Sequence, residues 1–232
     1  AADRAFHFTI DRTAPVITLT PDLQDQGFYK PQAAVDYTVV EVNPLAKTAT
    51  LDGQPFASGA AILADGSHHL VITATDKAGR SANLDRTFTI DGVAPTITFG
   101  VVAAGGFYQP GVRPTFAVDE PNLLSKTATL TVGAGAPGPF ASGDAVAGPD
   151  GPRTIAVHAV DKAGNVRDES ITFTIDGTRP VLTIENVANA GVYRAPRPIH
   201  FFATDDHLSG QATATLTNGS GQVRAFNDNN AA

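Results

Sequence analysis

Cysteine, methionine and tryptophan are all missing from this 232-residue sequence. Without cysteine there is no disulfide framework and no thiol catalysis, although this alone leaves the compartment open. With no initiator methionine, the chain reads as a window onto a longer protein. The absence of tryptophan, with aromatic residues at 7%, gives little support to a sugar-binding aromatic platform. No apolar run approaches the roughly 18 residues of a membrane span, and there is no signal peptide, which an internal segment would not retain. Basic residues are in deficit, 16 against 23 acidic, for a net charge of −7. That balance argues against nucleic acid, which calls for a basic patch, and favours solubility or divalent-cation binding. Hydrophobic residues at 42% and charged residues at 17% suffice for packed domains and exclude a disordered polyampholyte.

What the sequence does contain is repetition. "FTIDRTAPVITL" from Phe8 returns as "FTIDGVAPTITF" from Phe88 and as "FTIDGTRPVLTI" from Phe173, at intervals of 80 and 85 residues. These are domain-sized periods, too long for helical hairpins or propeller blades. "GFYKP" at 27–31 answers "GFYQP" at 106–110 and, more loosely, "GVYRAP" at 191–196. "KTATL" occurs at 47–51 and 126–130, with "TATL" at 213–216, and "PFASG" occurs at 55–59 and 139–143. "TATDKAG" at 73–79 answers "HAVDKAGN" at 158–165. The expected organisation is a tail of a preceding repeat over 1–7, repeat 1 over 8–87, repeat 2 over 88–172, and a C-terminally incomplete repeat 3 over 173–232.

Period-two alternation dominates within each repeat. Ile17 and Leu19 share one face of a strand; so do Val35, Tyr37 and Val39, and again Leu70, Ile72 and Ala74, while Phe88 and Ile90 point inward from "RTFTID". Turn signals with Gly or Pro separate them at 51–55, 64–69, 76–80 and 149–153. No segment carries a helical stripe. About seven short strands per repeat predict an all-β fold of tandem immunoglobulin-like sandwiches arranged end to end. The opening phrase is then a joint: "FTID" closes one sandwich and "APTITF" begins the next. Its proline fixes φ and restricts the preceding residue, so neighbouring repeats are expected to have limited freedom and to form a rod.

The "FTID-x-x-A/R-P" joints together with "DKAG" at 76–79 and "DKAGN" at 161–165 resemble the bacterial immunoglobulin-like repeats of large surface proteins and adhesins. The resemblance spans two full repeats and most of a third. It implies an extracellular stalk or adhesion module on a bacterial cell surface and, as in some members, calcium near the joints. Arg80 stands where repeat 2 has Asn165, and Arg179 replaces the alanine of the joint, so the joints need not share one ligand set.

Calcium takes six to eight oxygen ligands. Carboxylates recur at matched places: Asp11, Asp91 and Asp176 at the joints, Asp76 and Asp161 in the "DKAG" turn, and Glu41, Glu120 and Asp206, which fall in register when aligned on "TATL". The competing reading is turn chemistry, in which Asp caps the backbone and Gly takes positive φ. In a sandwich the "DKAG" turn and the following joint lie at opposite ends, so a joint is expected to meet the end loops of the next repeat.

Other features point to structure. His68 and His69 face opposite sides of a strand and cannot chelate together; a solvated strand start is expected. Tyr29, Tyr108 and Tyr193, each two residues after a glycine, fit packing better than a sugar platform. "NGS" at 218–220 matches a glycosylation acceptor but also a hairpin turn. Ser67, His68 and Asp65 adjoin in a turn, yet repeat 2 has Gly151, Pro152 and Asp150 there, and no oxyanion motif accompanies them. The sequence therefore reads as a non-enzymatic spacer or adhesion stalk whose partners are neighbouring repeats and a host or cell-surface glycan or protein. Two alternatives stay open: a glycan- or protein-binding module, and a subunit of a self-assembling coat or filament.

Overall fold

A computed structural model describes residues 6–195, 199–208, 210, 213–217 and 220–226. Every regular element among them is a β-strand. By spatial contacts the chain divides into two compact units, one of residues 1–98, 116–129 and 156–170, the other of residues 99–115, 130–155 and 171–232.

Repeat 1 lies within the first unit. Its strands are β1 (Val16–Thr20), β2 (Phe28–Tyr29), β3 (Gln32–Val40), β4 (Pro44–Leu51), β5 (Gln54–Pro55), β6 (Ala60–Ile62), β7 (Gly66–Asp76) and β8 (Ser81–Ile90). They form a three-stranded sheet in the order β1-β3-β6 and a five-stranded sheet in the order β2-β8-β7-β4-β5. Leu19, Leu23, Val35, Phe56 and Ile62 pack against Leu70, Ile72, Phe88 and Ile90 to make one continuous core. Burial of each such side chain contributes about 1.5–3 kcal/mol.

The alternation read from sequence produces this face, and it also buries polar groups at its two ends. Along β7 the inward positions are His68, Leu70, Ile72, Ala74 and Asp76, all buried. A strand of period two that supplies three core residues necessarily turns the residues two before and two after toward the same interior.

Repeat 2 supplies β9 (Thr96–Gly100), β10 (Phe107–Tyr108), β11 (Thr115–Asp119), β12 (Leu123–Val132), β13 (Gly138–Pro139), β14 (Gly151–Asp161) and β15 (Val166–Ile175). Its larger sheet runs β10-β15-β14-β12-β13, the counterpart of the larger sheet in repeat 1. On β14 the inward ladder is Arg153, Ile155, Val157, Ala159 and Asp161, again apolar between two polar ends. The final repeat shows β16 (Val181–Glu185) paired antiparallel with β17 (His200–Thr204), and β18 (Ala214–Thr217) paired antiparallel with β19 (Val223–Phe226).

Two very short strands explain the recurrent tyrosines. β2 pairs in parallel with β8, Tyr29 opposite Ile90, and β10 pairs in parallel with β15, Tyr108 opposite Ile175. Each ring meets the phenylalanine of "FTID" edge-on, Tyr29 with Phe88 and Tyr108 with Phe173. The hydroxyls of Tyr29 and Tyr108 accept the amides of Gln24 and Ala103, both at 2.7 Å, and that of Tyr193 accepts the amide of Ala188. The ring folds back over the glycine two residues earlier, where an added Cβ would lie 2.5 Å from the Tyr29 hydroxyl at Gly27 and 2.7 Å from that of Tyr108 at Gly106. Tyr29 and Tyr108 are packing elements.

Candidate functional site

The polar ends of the inward ladders sit where "FTID" runs into the next repeat. In the first unit, the aspartate after β8, Asp91, is buried. Its Oδ1 accepts the amide of Val93 at 3.1 Å and its Oδ2 accepts Nδ2 of Asn122 at 2.9 Å. Asn165 Nδ2 donates to the backbone oxygen of Asp91 at 2.8 Å and to Oδ2 of Asp161 at 2.8 Å, with the Val93 oxygen at 3.4 Å. From the other side, Asp65 Oδ1 accepts the amide of Gly92 at 2.8 Å. The joint is therefore held by donors and acceptors from loops of both repeats 1 and 2.

A matching arrangement surrounds Asp11 within repeat 1. Asp11 Oδ1 accepts the amide and hydroxyl of Thr13, and Oδ2 accepts Nδ2 of Asn43 at 2.9 Å. These donors, Asn43 first and Thr13 next, hold the Asp11 carboxyl below the usual carboxylate range. Glu41 Oε1 caps the amide of Asn43 at 2.8 Å, as Glu120 Oε1 caps that of Asn122 at 2.8 Å. The "DKAG" turn docks on the same asparagines: the Lys77 amide donates to the Asn43 oxygen and the Lys162 amide to the Asn122 oxygen. Gly79 and Gly164 close the turns at φ of 83° and 85°, open to glycine without strain.

The two joints differ at one carboxylate oxygen. Asp76 and Asp161 are each 0% exposed, and each uses Oδ1 to accept the amide four residues on, from Arg80 and Asn165 respectively. Asp161 Oδ2 is satisfied by the Asn165 amide. Asp76 Oδ2 is buried without a partner: the Arg80 side chain donates through Nε to the Asp11 oxygen at 3.2 Å, as Asn165 does to the Asp91 oxygen, but supplies no second contact to the turn aspartate. Carboxylate oxygens of Asp11, Glu41 and Asp76 lie within 4.8 Å of one another.

In the second unit Asp176 occupies the next joint. Its Oδ1 accepts the Thr178 amide, and its Oδ2 faces His207 Nδ1 at 3.3 Å. Asp150 Oδ1 accepts the Gly177 amide at 2.7 Å, and its Oδ2 accepts the Thr178 hydroxyl. The Thr178 hydroxyl and then the Gly177 amide hold the Asp150 carboxyl below its usual range. Asp176, Asp205 and His207 form a second close group.

The structure thus brings together Asp11, Glu41 and Asp76, ties Asp91 and Asp161 through Asn165, and places Glu120 as the cap of Asn122. Asp206 is a correction. It is exposed, and the position of Glu41 and Glu120 is taken by Asp205, whose Oδ1 caps the His207 amide at 2.8 Å. The segment from this cap to "TATL" is one residue longer in repeat 3, so alignment on "TATL" selects the wrong neighbour. His68 is a second correction: it is buried, with Nδ1 2.8 Å from Asp52 Oδ2 and Nε2 2.8 Å from the Ala64 oxygen. Its counterpart Arg153 is 1% exposed and donates to the oxygens of Gly151, Pro152, Ala147 and Pro149. Of "NGS" at 218–220, Asn218 and Gly219 lie outside the described residues.

Sequence reasoning overlooked Asn43, Asn122, Asp65 and Asp150 as joint residues. Their signal was present as Glu-x-Asn at 41–43 and 120–122 and as Asp-Gly at 65–66 and 150–151.

No protein-family model and no curated protein matches the chain. Among solved structures it is similar to the fibronectin(III)-like modules of Clostridium thermocellum CbhA, at 14% identity and TM-score 0.37, covering 69% of this chain and 93% of that one. It is similar to a tetra-tandem repeat from the extending region of a large adhesion protein, at 22% identity and TM-score 0.39, covering 92% of this chain and 62% of that one. Drosophila N-cadherin EC1-4 matches at 13% identity and TM-score 0.31, over 71% of this chain and 49% of that one. These are likenesses of all-β repeat architecture alone. Among the described residues no helix is long and apolar enough to cross a membrane.

Proposed function

We propose that this chain is a non-enzymatic segment of an extracellular, bacterial cell-surface stalk or adhesion module, built of immunoglobulin-like repeats at 8–87, 88–172 and 173–232 whose joints carry load. The observation behind this reading is the joint at Asp91. Its backbone and side-chain polar groups are taken up by Asp65 on one side and by Asn122 and Asn165 on the other. A joint built this way resists bending and extension because any displacement breaks several hydrogen bonds at once, each left partly buried and unmade at a cost of about 1–3 kcal/mol.

The first joint adds a calcium-type cation to this scheme. Asp11, Glu41 and Asp76 offer oxygen alone, the donor preference of a hard divalent ion, and Asp76 Oδ2, like Asp205 Oδ2 in the Asp176 group, is a buried acceptor that lacks a protein donor. Bound there, calcium would supply the positive charge that three converging carboxylates need.

The test is mechanical extension of the full chain, tethered by its two ends, in calcium and then in chelator. The expected record has discrete force-resisting events that each release roughly one repeat of about 80 residues, with at least one event weakened by chelator. Smooth extension without resisted events would overturn the stalk reading. Resisted events indifferent to chelator would overturn its calcium component.

A further inference from the structure

We propose that the residue closing the "DKAG" turn sets the ion requirement of the joint beside it: Asn165 makes the Asp91 joint independent of metal, whereas Arg80 leaves the Asp11 joint dependent on a divalent cation. This rests on the cation reading of the first joint.

The two turns agree until their last residue. In both, the aspartate is fully buried and its Oδ1 accepts the amide four residues on, at 2.8 Å. In both, the joint aspartate accepts an asparagine Nδ2 at 2.9 Å, and a glutamate caps that asparagine at 2.8 Å. Divergence begins at the side chain after Gly79 and Gly164. The Asn165 amide nitrogen faces Asp161 Oδ2, the Asp91 oxygen and the Val93 oxygen, at 2.8, 2.8 and 3.4 Å. A nitrogen with two protons among three oxygens supplies there the positive edge that a small cation would otherwise provide. Arginine cannot do this from the same backbone position. Its Nε reaches the Asp11 oxygen at 3.2 Å, as Asn165 reaches the Asp91 oxygen, and its charge acts on the Asp11 carboxyl, but it gives Asp76 Oδ2 no donor. What remains is a buried carboxylate oxygen without a donor beside two further carboxylates. Burying such a group unpaired is costly, and a hard cation that accepts oxygen ligands from all three carboxylates relieves it.

The test measures calcium binding by titration calorimetry, and melting temperature in calcium and in chelator, for the full chain and three variants. Asp76→Asn locates the site, Arg80→Asn installs the amide in repeat 1, and Asn165→Arg removes it from repeat 2. The expected pattern is a calcium site in the wild type that Asp76→Asn abolishes and that Arg80→Asn weakens by at least about tenfold, or about 1.4 kcal/mol. Arg80→Asn should melt in chelator no lower than the wild type does in chelator, which separates a filled site from a damaged fold. Asn165→Arg should show a larger calcium-dependent rise in melting temperature than the wild type. Wild-type binding that Asp76→Asn abolishes but Arg80→Asn leaves at full affinity would overturn this inference while the cation joint stands. No binding sensitive to Asp76→Asn would overturn both.

Discussion

At the scale of single residues, burial of polar groups at the ends of apolar strand faces is what gives this chain its chemistry. His68 shows the consequence for pH. Burial disfavours its charge, but the Ala64 oxygen and the Asp52 carboxylate outweigh burial and raise its pKa above the ordinary 6.5. Asp52 is shifted the other way: burial raises its pKa, yet His68 and the His69 amide bring it below its ordinary value. A raised histidine pKa stabilises the fold fully below about pH 6.5 and loses that stabilisation as pH rises through the folded value; a lowered aspartate pKa stabilises above about pH 3.9 and fails as pH falls through its folded value. The pair is therefore strongest between these limits. Denaturant unfolding across pH should show the wild type losing stability relative to His68→Gln as pH rises above about 6.5. A difference constant across that range would mean that folding leaves the His68 pKa unshifted.

At the scale of elements, the two-residue strands β2 and β10 depend on glycine. Gly106→Ala would place a Cβ within 2.7 to 3.0 Å of three atoms of the Tyr108 ring. The ring is held by the Ala103 amide and by Phe173, so it has little room to retreat, and a loss of about 1–3 kcal/mol is expected in thermal or denaturant unfolding. An unchanged midpoint would show that the ring shifts freely and that the Gly-x-Tyr repeat carries no packing constraint. Long strands were legible in the sequence because Leu70, Ile72 and Ala74, or Phe88 and Ile90, alternate strictly and are followed by Gly or Pro turns. The short parallel strands were not, since two residues such as Phe28 and Tyr29 have no period to read. The joint aspartates and the "DKAG" aspartates were legible through their recurrence. Their partners Asn43, Asn122, Asp65 and Asp150 were not, because each acts through an amide or backbone contact made across 27 to 32 residues of chain. Asp205 was hidden by a one-residue change of spacing, and the buried place of His68 by its neighbour His69, which does point to solvent.

At the scale of the whole molecule, repeated domains draw stability from their own cores and from terms between neighbours. In the proposed array the neighbour term would be a set of polar contacts on short linkers. Gly92 and Gly177 belong to it: a Cβ at Gly92 would meet Pro31 at 3.0 Å and Asp65 at 3.2 Å, and one at Gly177 would meet Pro110 at 2.8 Å. Each linker therefore comes close enough to the preceding repeat for an aspartate to hold its amide. The most direct test of this joint is native-state hydrogen exchange at the Gly92 amide, in the wild type and in Asp65→Ala. If the linker is clamped, the amide should exchange at least about tenfold more slowly than in an unstructured peptide, and Asp65→Ala should bring it back to the peptide rate while amides in β7 and β8 stay protected. Exchange at the free-peptide rate in the wild type would contradict the account, because the joint would then be an open tether.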